Sequence, residues 1–257
     1  RRQVETFDGV KSPVLRVSPQ QIQQALDEID NQLREAMSEA IERLRETSSD
    51  SMPKSVITKF GDSSTVMQRF MPVDSVAVYA PGGKAVYPSS VIMNVVPAQV
   101  AGVERIGLFS PAQQNGLPAT EVLTAAALLG VDEVYSIGGV GAVAAAAYGV
   151  PSLNLEPFRM FTGPGNIFLA AAKRALRGMI GIDSEAGPTE IMILADDSAK
   201  ASHVAADLLS QAEHDENAAC VLVTNSIDFA ERVNQELEVR LQSTPNSTRA
   251  RISLDGP

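Results

Sequence analysis

From residue 75 onwards, short β-branched runs alternate with alanine-rich stretches of helical periodicity. The predicted strands are Ser75–Tyr79, Arg105–Phe109, Glu133–Ile137, Arg159–Phe161, Glu190–Leu194 and Cys220–Thr224. The predicted helices are Ser89–Ala101, Ala119–Leu129, Gly141–Tyr148, Asn166–Leu176, Ala199–His214 and Ser226–Leu241. Strands and helices in alternation are typical of an α/β protein with a mainly parallel sheet, and this is the predicted fold class.

A long apolar stripe precedes this alternation. Ser18 is an N-cap candidate followed by proline, and Val17 and Ile22 are spaced as a hydrophobic staple. Apolar residues then recur at intervals of three and four: Ile22, Leu26, Ile29, Leu33, Met37, Ile41 and Leu44. The pattern predicts one long amphipathic helix. If this helix does not fold back onto its own domain, its stripe must pack against another subunit.

The alternation is interrupted on the approach to Gly163, which indicates a change of sheet or subdomain between about residues 149 and 186. We therefore expect residues 1–74 to form an N-terminal helical segment and lead-in. Residues 75–185 are expected to form a first Rossmann-like α/β domain, and residues 186–257 part of a second, incomplete one.

Composition excludes several classes of protein. A single cysteine, Cys220, excludes internal disulfides and cysteine-rich zinc modules and favours a reducing, cytoplasmic compartment. The net charge of −10 argues against nucleic acid as a partner, because phosphate contacts need a basic surface. The uncharged stretch Val134–Leu155 is interrupted by glycines and a proline, unlike a membrane span, and Arg1–Gly9 contains no apolar stretch typical of a secretory signal.

Ligands of parallel sheets bind beyond the carboxyl ends of the strands, and the strand-to-helix loops of this chain are rich in glycine. The loop Tyr79–Gly83 either lets the backbone approach a ligand, with Tyr79 stacking or hydrogen-bonding, or is a tight turn. Residues 138–144 imitate a dinucleotide fingerprint with Glu156 as the ribose acid. The alternative is that these glycines only pack a helix closely against a strand.

A third loop, Gly163-Pro164-Gly165-Asn166, precedes an apolar helical run. A rigid loop rich in donors at a helix N-terminus suits a phosphate or the polar edge of a cofactor. Asn166 is able both to cap the helix and to bind a ligand. A plain capped turn is the alternative.

The region between Asp183 and Glu216 contains nine acids and one base, so it supplies −8 of the net charge. Both histidines of the chain lie in its predicted helix, whose polar face carries His203, Asp207, Gln211 and His214. Gln211 and His214 are three residues apart and can reach one ion, and such donors suit zinc, cobalt or manganese. His203 is about 16 Å from His214 along a helix, too far to share that ion. A solvated polar face is the alternative.

Four motifs resemble those of the histidinol dehydrogenase family in order and approximate spacing. They are Tyr79–Gly83 with Tyr87–Ser90, Gly163–Asn166, Asp183–Glu190 and Asp207–Asp215. The resemblance covers nearly the whole chain, although the family's chains are considerably longer. It implies a homodimeric enzyme that uses zinc and NAD to oxidise L-histidinol to L-histidine in two hydride transfers, the last steps of histidine biosynthesis.

The resemblance also implies roles for individual residues. Gln211 and His214 would bind zinc and substrate, and Thr189 would contact substrate where many members have serine. Tyr79 and Asn166 would lie along the NAD site, whereas Gly141 replaces a family glutamine and removes an expected cofactor contact.

The family's Glu-His general acid/base pair and its other two zinc ligands are expected beyond Pro257, so this chain is expected to be an incomplete, inactive form. Two alternatives stay open. One is a related dehydrogenase that acts on another polar alcohol, and the other is a non-catalytic assembly module that uses the N-terminal helix.

Overall fold

The computed structural model describes residues 2–7, 9–11, 13–82, 86–185 and 189–256. Gly83 of the first glycine loop and residues 186–188 of the third motif lie outside these ranges. The chain divides into two compact units, residues 1–185 and residues 186–257. In the described ranges, no helix is long and apolar enough to cross a membrane.

The described part of the first unit contains the following helices and strands, each kind numbered in chain order. The helices are α1 (Arg2–Phe7), α2 (Pro19–Glu28), α3 (Asn31–Asp50), α4 (Pro88–Ala101), α5 (Thr120–Leu128), α6 (Gly139–Tyr148) and α7 (Ile167–Leu176). The strands are β1 (Val56–Phe60), β2 (Ser64–Gln68), β3 (Ser75–Tyr79), β4 (Arg105–Ser110), β5 (Glu133–Ser136), β6 (Met160–Thr162) and β7 (Gly181–Ile182).

A parallel five-stranded sheet in the order β5-β4-β3-β6-β7 forms the centre of this unit. Its central strand β3 is buried along its whole length because helices cover both faces of the sheet. The chain moves outward from β3 through β4 to β5, then returns to the other side of β3 with β6. The topological switch point therefore lies between β3 and β6, and the predicted α/β, Rossmann-like fold class is confirmed.

The N-terminal stripe is carried by two helices, so the prediction of one continuous helix is wrong. Ile29 has extended backbone angles, and the Asp30 carboxylate accepts a hydrogen bond from the Leu33 N–H and caps α3. The capping box of α2 is present as predicted, with Gln21 reaching back to the Ser18 N–H.

The stripe packs inside its own unit. Ile22 on α2 and Met37 and Ile41 on α3 are buried in the same cluster as the apolar residues of α4 and α5. Because the stripe folds back onto its own unit, it gives no reason to place a subunit interface there.

The sequence patterns did not predict the antiparallel hairpin of β1 and β2. All ten of its strand residues are exposed, although several are large and apolar. These apolar side chains, together with two that follow the hairpin, are Val56, Ile57, Phe60, Val66, Met67, Phe70 and Met71. The hairpin is thus the most apolar exposed segment in the described part of the first unit.

The described part of the second unit consists of β8 (Glu190–Leu194), α8 (Ala201–Ala212), β9 (Ala219–Val223), α9 (Ile227–Leu241) and α10 (Ser247–Asp255). The two strands are parallel, and the helices cover only one of their faces. The opposite face exposes Met192, Leu194, Val221 and Val223. From residue 75 onwards, the predicted strands agree with the structure to within one residue, and the predicted helices to within two.

Candidate functional site

The carboxyl edge of the five-stranded sheet collects side chains with hydroxyl groups. Tyr79, Ser110, Ser136 and Thr162 end four neighbouring strands. Three of these hydroxyl oxygens, those of Ser110, Ser136 and Thr162, are buried and accept or donate no hydrogen bond within the described residues. Because buried polar groups are almost always hydrogen-bonded, this edge has unused capacity to bind a polar ligand.

Tyr79 organises the same edge. Its ring is 5% exposed and stacks on Phe161 with 6.1 Å between the ring centroids. Its hydroxyl accepts a hydrogen bond from the N–H of Gly139, at a distance of 3.2 Å. Tyr79 thereby holds the first turn of α6 against the ends of the strands.

Gly141 lies in that first turn, because α6 begins at Gly139, two residues before the predicted start. The N–H groups in the first turn of a helix have no partner within the helix and favour negatively charged or polar ligands. Gly141 therefore lies at the carboxyl edge of the sheet, where a ligand is expected, and offers its backbone N–H as a donor in place of a side chain.

The interpretation of residues 138–144 and Glu156 as a dinucleotide fingerprint is wrong for Glu156. The Glu156 carbonyl accepts a hydrogen bond of 3.1 Å from Arg105, the first residue of β4. Glu156 thus lies at the amino edge of the sheet, at the opposite ends of the strands from the unused hydroxyl groups. The loop after α6 returns the chain to that edge before β6 begins.

At the amino edge, polar groups are paired with one another. The Arg105 guanidinium donates two hydrogen bonds to the Glu133 carboxylate, at 2.6 and 2.9 Å, and the Tyr135 hydroxyl donates a third at 2.8 Å. Burial raises the pKa of Glu133, but these hydrogen bonds outweigh it and hold the pKa below its ordinary value. Burial, followed by the bond to Glu133, raises the pKa of Tyr135.

The loop from Gly163 to Asn166 continues the carboxyl edge. Gly163 has a φ of +123°, a conformation that residues with a side chain rarely adopt. A Cβ atom at this position would meet the Tyr79 backbone, with the carbonyl carbon at 3.0 Å and the oxygen closer still. This close approach requires glycine and places the loop beside the end of β3.

Asn166 caps α7 as predicted. Its side-chain oxygen accepts hydrogen bonds from the N–H groups of Phe168 and Leu169, each at 3.1 Å. Its side-chain nitrogen has no hydrogen bond within the described residues, and the residue is exposed. Asn166 can therefore cap the helix and still donate to a ligand.

Lys173 and Asp183 support this loop, and the sequence patterns did not single them out as a pair. The Lys173 ammonium group lies 2.6 Å from the Asp183 carboxylate and 2.5 Å from the Gly163 carbonyl oxygen. Glu185 similarly pairs with Arg174 and Arg177. Part of the acidic region thus has basic partners within the protein. Its negative charge is therefore weaker evidence for a bound metal ion.

The second unit brings Thr189, Gln211 and His214 together. The Gln211 side-chain nitrogen donates a 2.9 Å hydrogen bond to the Thr189 carbonyl, which leaves the Gln211 amide oxygen available to a ligand. The helix ends at Ala212 rather than His214, and Glu213 is its C-cap residue, with its N–H bonded to the Leu209 carbonyl at 3.0 Å. His214 follows in an exposed turn, where its N–H bonds to the Gln211 carbonyl at 3.1 Å.

These donors fit one part of a zinc site. An amide oxygen and an imidazole are acceptable ligands, but zinc sites in proteins use three or four. Within the described ranges, no group of three or more histidine, cysteine, aspartate and glutamate residues could hold a metal ion. His203 is exposed on α8, eleven positions before His214 in the sequence.

Comparison with known proteins identifies one family. The family model of histidinol dehydrogenase matches residues 1–256. The chain is 52% identical to the histidinol dehydrogenase of Leifsonia xyli subsp. xyli over 258 residues, and 51% identical to that of Corynebacterium diphtheriae over 259 residues. These alignments cover 100% and 98% of the chain, but 59% and 58% of the relatives.

A crystal structure of histidinol dehydrogenase from Elizabethkingia anophelis has the same fold. It matches with a TM-score of 0.90 at 29% sequence identity, over 98% of this chain and 58% of that one. The chain therefore spans a little under three fifths of the length of these proteins.

Proposed function

The chain belongs to the histidinol dehydrogenase family, and we propose that it provides the cofactor and part of the substrate site of an enzyme that oxidises L-histidinol to L-histidine with NAD. The observation that carries this proposal is the hydrogen bond between Gln211 and Thr189 next to His214. It gathers, in one unit, the three residues to which the family resemblance assigns substrate binding.

The zinc half-site consists of the Gln211 amide oxygen and the His214 imidazole. Zinc, when bound, supplies a positive centre that orients the nitrogen and oxygen donors of the substrate. The hydrogen bond to the Thr189 carbonyl sets which atom of the Gln211 amide faces that centre. Further protein ligands must complete the site, because two donors do not hold zinc.

The NAD site is proposed at the carboxyl edge of the five-stranded sheet, beside the switch point. The first turn of α6, held by Tyr79, and the side-chain nitrogen of Asn166 offer donors there. The unused buried hydroxyl groups at the ends of β4, β5 and β6 support a polar ligand at this edge. NAD, when bound, supplies the hydride acceptor, and these residues bind and orient it.

A homodimer in the cytoplasm is part of the proposal, with the β1–β2 hairpin as the contact with a second copy. An isolated two-stranded hairpin is marginal in water, and this one exposes apolar side chains from both strands. Residues 54–69 contain three basic residues and one acid in a chain of net charge −10. A second copy thus offers both apolar surface and opposite charge.

The test compares two histidines in a polypeptide extended to the length of the relatives. His214→Ala is expected to remove bound zinc and NADH production from L-histidinol, because it deletes a ligand. His203→Ala is the matched control and should leave both nearly intact, because His203 is exposed on α8, eleven positions before His214. Zinc content and NADH absorbance are measured for both variants.

Equal loss of zinc in the two variants would show that the metal site has been placed at the wrong end of α8. Faster turnover of another amino alcohol than of L-histidinol would refute the substrate. The 257-residue chain alone is expected to produce no NADH, since Gln211 and His214 are two ligands and zinc sites in proteins use three or four.

A further inference from the structure

Lys173 is a charged residue with no solvent contact. Its side chain is 0% exposed, and its ammonium group lies 2.6 Å from Asp183, 2.5 Å from the Gly163 carbonyl and 3.4 Å from the Ser184 carbonyl. Lysine is almost never fully buried unless it is paired. The partners of its ammonium group therefore indicate the role of this buried charge.

The two members of this ion pair hold both backbone polar groups of one residue. Lys173 donates to the Gly163 carbonyl, and the second carboxylate oxygen of Asp183 accepts the Gly163 N–H at 2.9 Å. Gly163 is the residue at which the chain leaves β6 with a positive φ and touches the Tyr79 backbone. The pair thus restrains the position from which the loop to Asn166 starts.

We propose that Lys173 and Asp183 are positioning residues for the cofactor loop Gly163–Asn166 and thereby set the affinity for NAD. The proposal rests on the proposed function, because it takes this loop as part of the NAD site. Neither residue needs to touch the cofactor. They act through the backbone of Gly163, three residues before the Asn166 donor.

The energetics of buried ion pairs indicate that the Lys173–Asp183 pair positions the loop rather than stabilising the fold. Removing two charges from water costs about as much as their attraction returns, so apolar residues can often replace a buried pair without loss of stability. Two exposed ion pairs already join α7 to the same segment, through Arg174 and Arg177 to Glu185. What the buried pair adds is a set of hydrogen bonds to the loop backbone.

The experiment uses the 257-residue chain and the variant Lys173→Met, which keeps the length of the side chain and removes its charge. Asp183 is 32% exposed and can be hydrated after the change. Amide hydrogen exchange reports on the loop, and isothermal titration with NAD reports on binding. Arg174→Met is the matched control, because it deletes an exposed ion pair between the same two segments.

Lys173→Met is expected to exchange the Gly163 N–H and the first amides of α7 about tenfold faster and to bind NAD about tenfold more weakly. Arg174→Met should change neither by more than about twofold, as is usual for a surface ion pair. If Lys173→Met does not fold, Asp183→Asn replaces it. Its amide oxygen can still accept one hydrogen bond, so a smaller rise in exchange at Gly163 is expected.

Unchanged exchange at Gly163 in a folded variant overturns the positioning role. Faster exchange with unchanged NAD affinity shows that the pair orders the loop without serving the cofactor, and also overturns the proposal. A parent chain that binds no NAD refutes the NAD site itself, and with it any role of the pair in cofactor affinity. Failure of the two proposals can thus be distinguished.

Discussion

Gly163→Ala tests the geometry of the carboxyl edge most directly. The added methyl group would meet the Tyr79 carbonyl carbon at 3.0 Å and its Cα at 3.1 Å, with the oxygen nearer still. Ordinary contacts of a Cβ atom begin at about 3.4 Å, so the loop or the end of β3 must shift. β3 is buried along its whole length, and we therefore expect the loop to move.

Two costs add in this variant. A residue with a side chain at a φ of +123° costs about 1–3 kcal/mol in backbone strain. Relief of the steric overlap costs about another 1–3 kcal/mol. We expect the free energy of unfolding to fall by about 2–6 kcal/mol, a large fraction of the stability of a typical domain.

Gly130→Ala separates the two costs. Gly130 has a φ of +67°, but a Cβ atom there would meet nothing within 4 Å. Only the cost of a left-handed residue remains, about 1–2 kcal/mol. Urea unfolding of both variants and the parent gives the comparison. A loss in Gly163→Ala no larger than that in Gly130→Ala would refute the close approach of the loop to β3.

Two further predictions concern acid stability and assembly. The pKa of Glu133 is lower in the folded protein than its ordinary value of 4.5, so its stabilising effect is present above that pH and is lost as the pH falls further. Glu133→Gln should therefore reduce the stability to urea at pH 7 and change it little near pH 3; an equal loss at both would contradict the pKa assignment. The assay for assembly is sedimentation at tens of micromolar. Ile57→Asp on the hairpin should convert a dimer to a monomer. Ile227→Asp, which also replaces an exposed isoleucine, is the control and should leave the dimer intact. A monomeric parent chain, or a dimeric Ile57→Asp variant, would exclude the hairpin interface.

The periodicity of the sequence predicts four of the five strands of the sheet, β3, β4, β5 and β6, because each is a short, largely apolar run between helices. It does not predict β7, which has only two residues. It fails at Ile29, where the apolar stripe continues in register through a break that only the cap at Asp30 marks. It also misses the hairpin, since β1 and β2 bury neither face and so lack the alternation that identifies a half-buried strand.

Some residues of the candidate site can be predicted from the sequence and others cannot, as for the fold. Asn166 can be recognised from its place before a helix, and the Gln211–His214 spacing from helical geometry, because both are local patterns. Lys173 cannot be recognised, because a lysine in an alanine-rich helix is usually solvated and its partner Asp183 follows a further strand. Glu156 was misplaced because the sequence does not show to which edge of the sheet a loop returns.

The two edges of the five-stranded sheet differ in how their polar groups are paired. At the amino edge, Arg105, Glu133 and Tyr135 satisfy one another's hydrogen-bonding groups. At the carboxyl edge, strands of the same sheet end in buried hydroxyl groups that have no hydrogen-bond partner among the described residues, beside a glycine with positive φ. Strand burial cannot explain this difference, since both edges belong to the same strands. Departures from local rules of this kind concentrate where a protein binds, and this supports the proposal of a cofactor site beside Gly163.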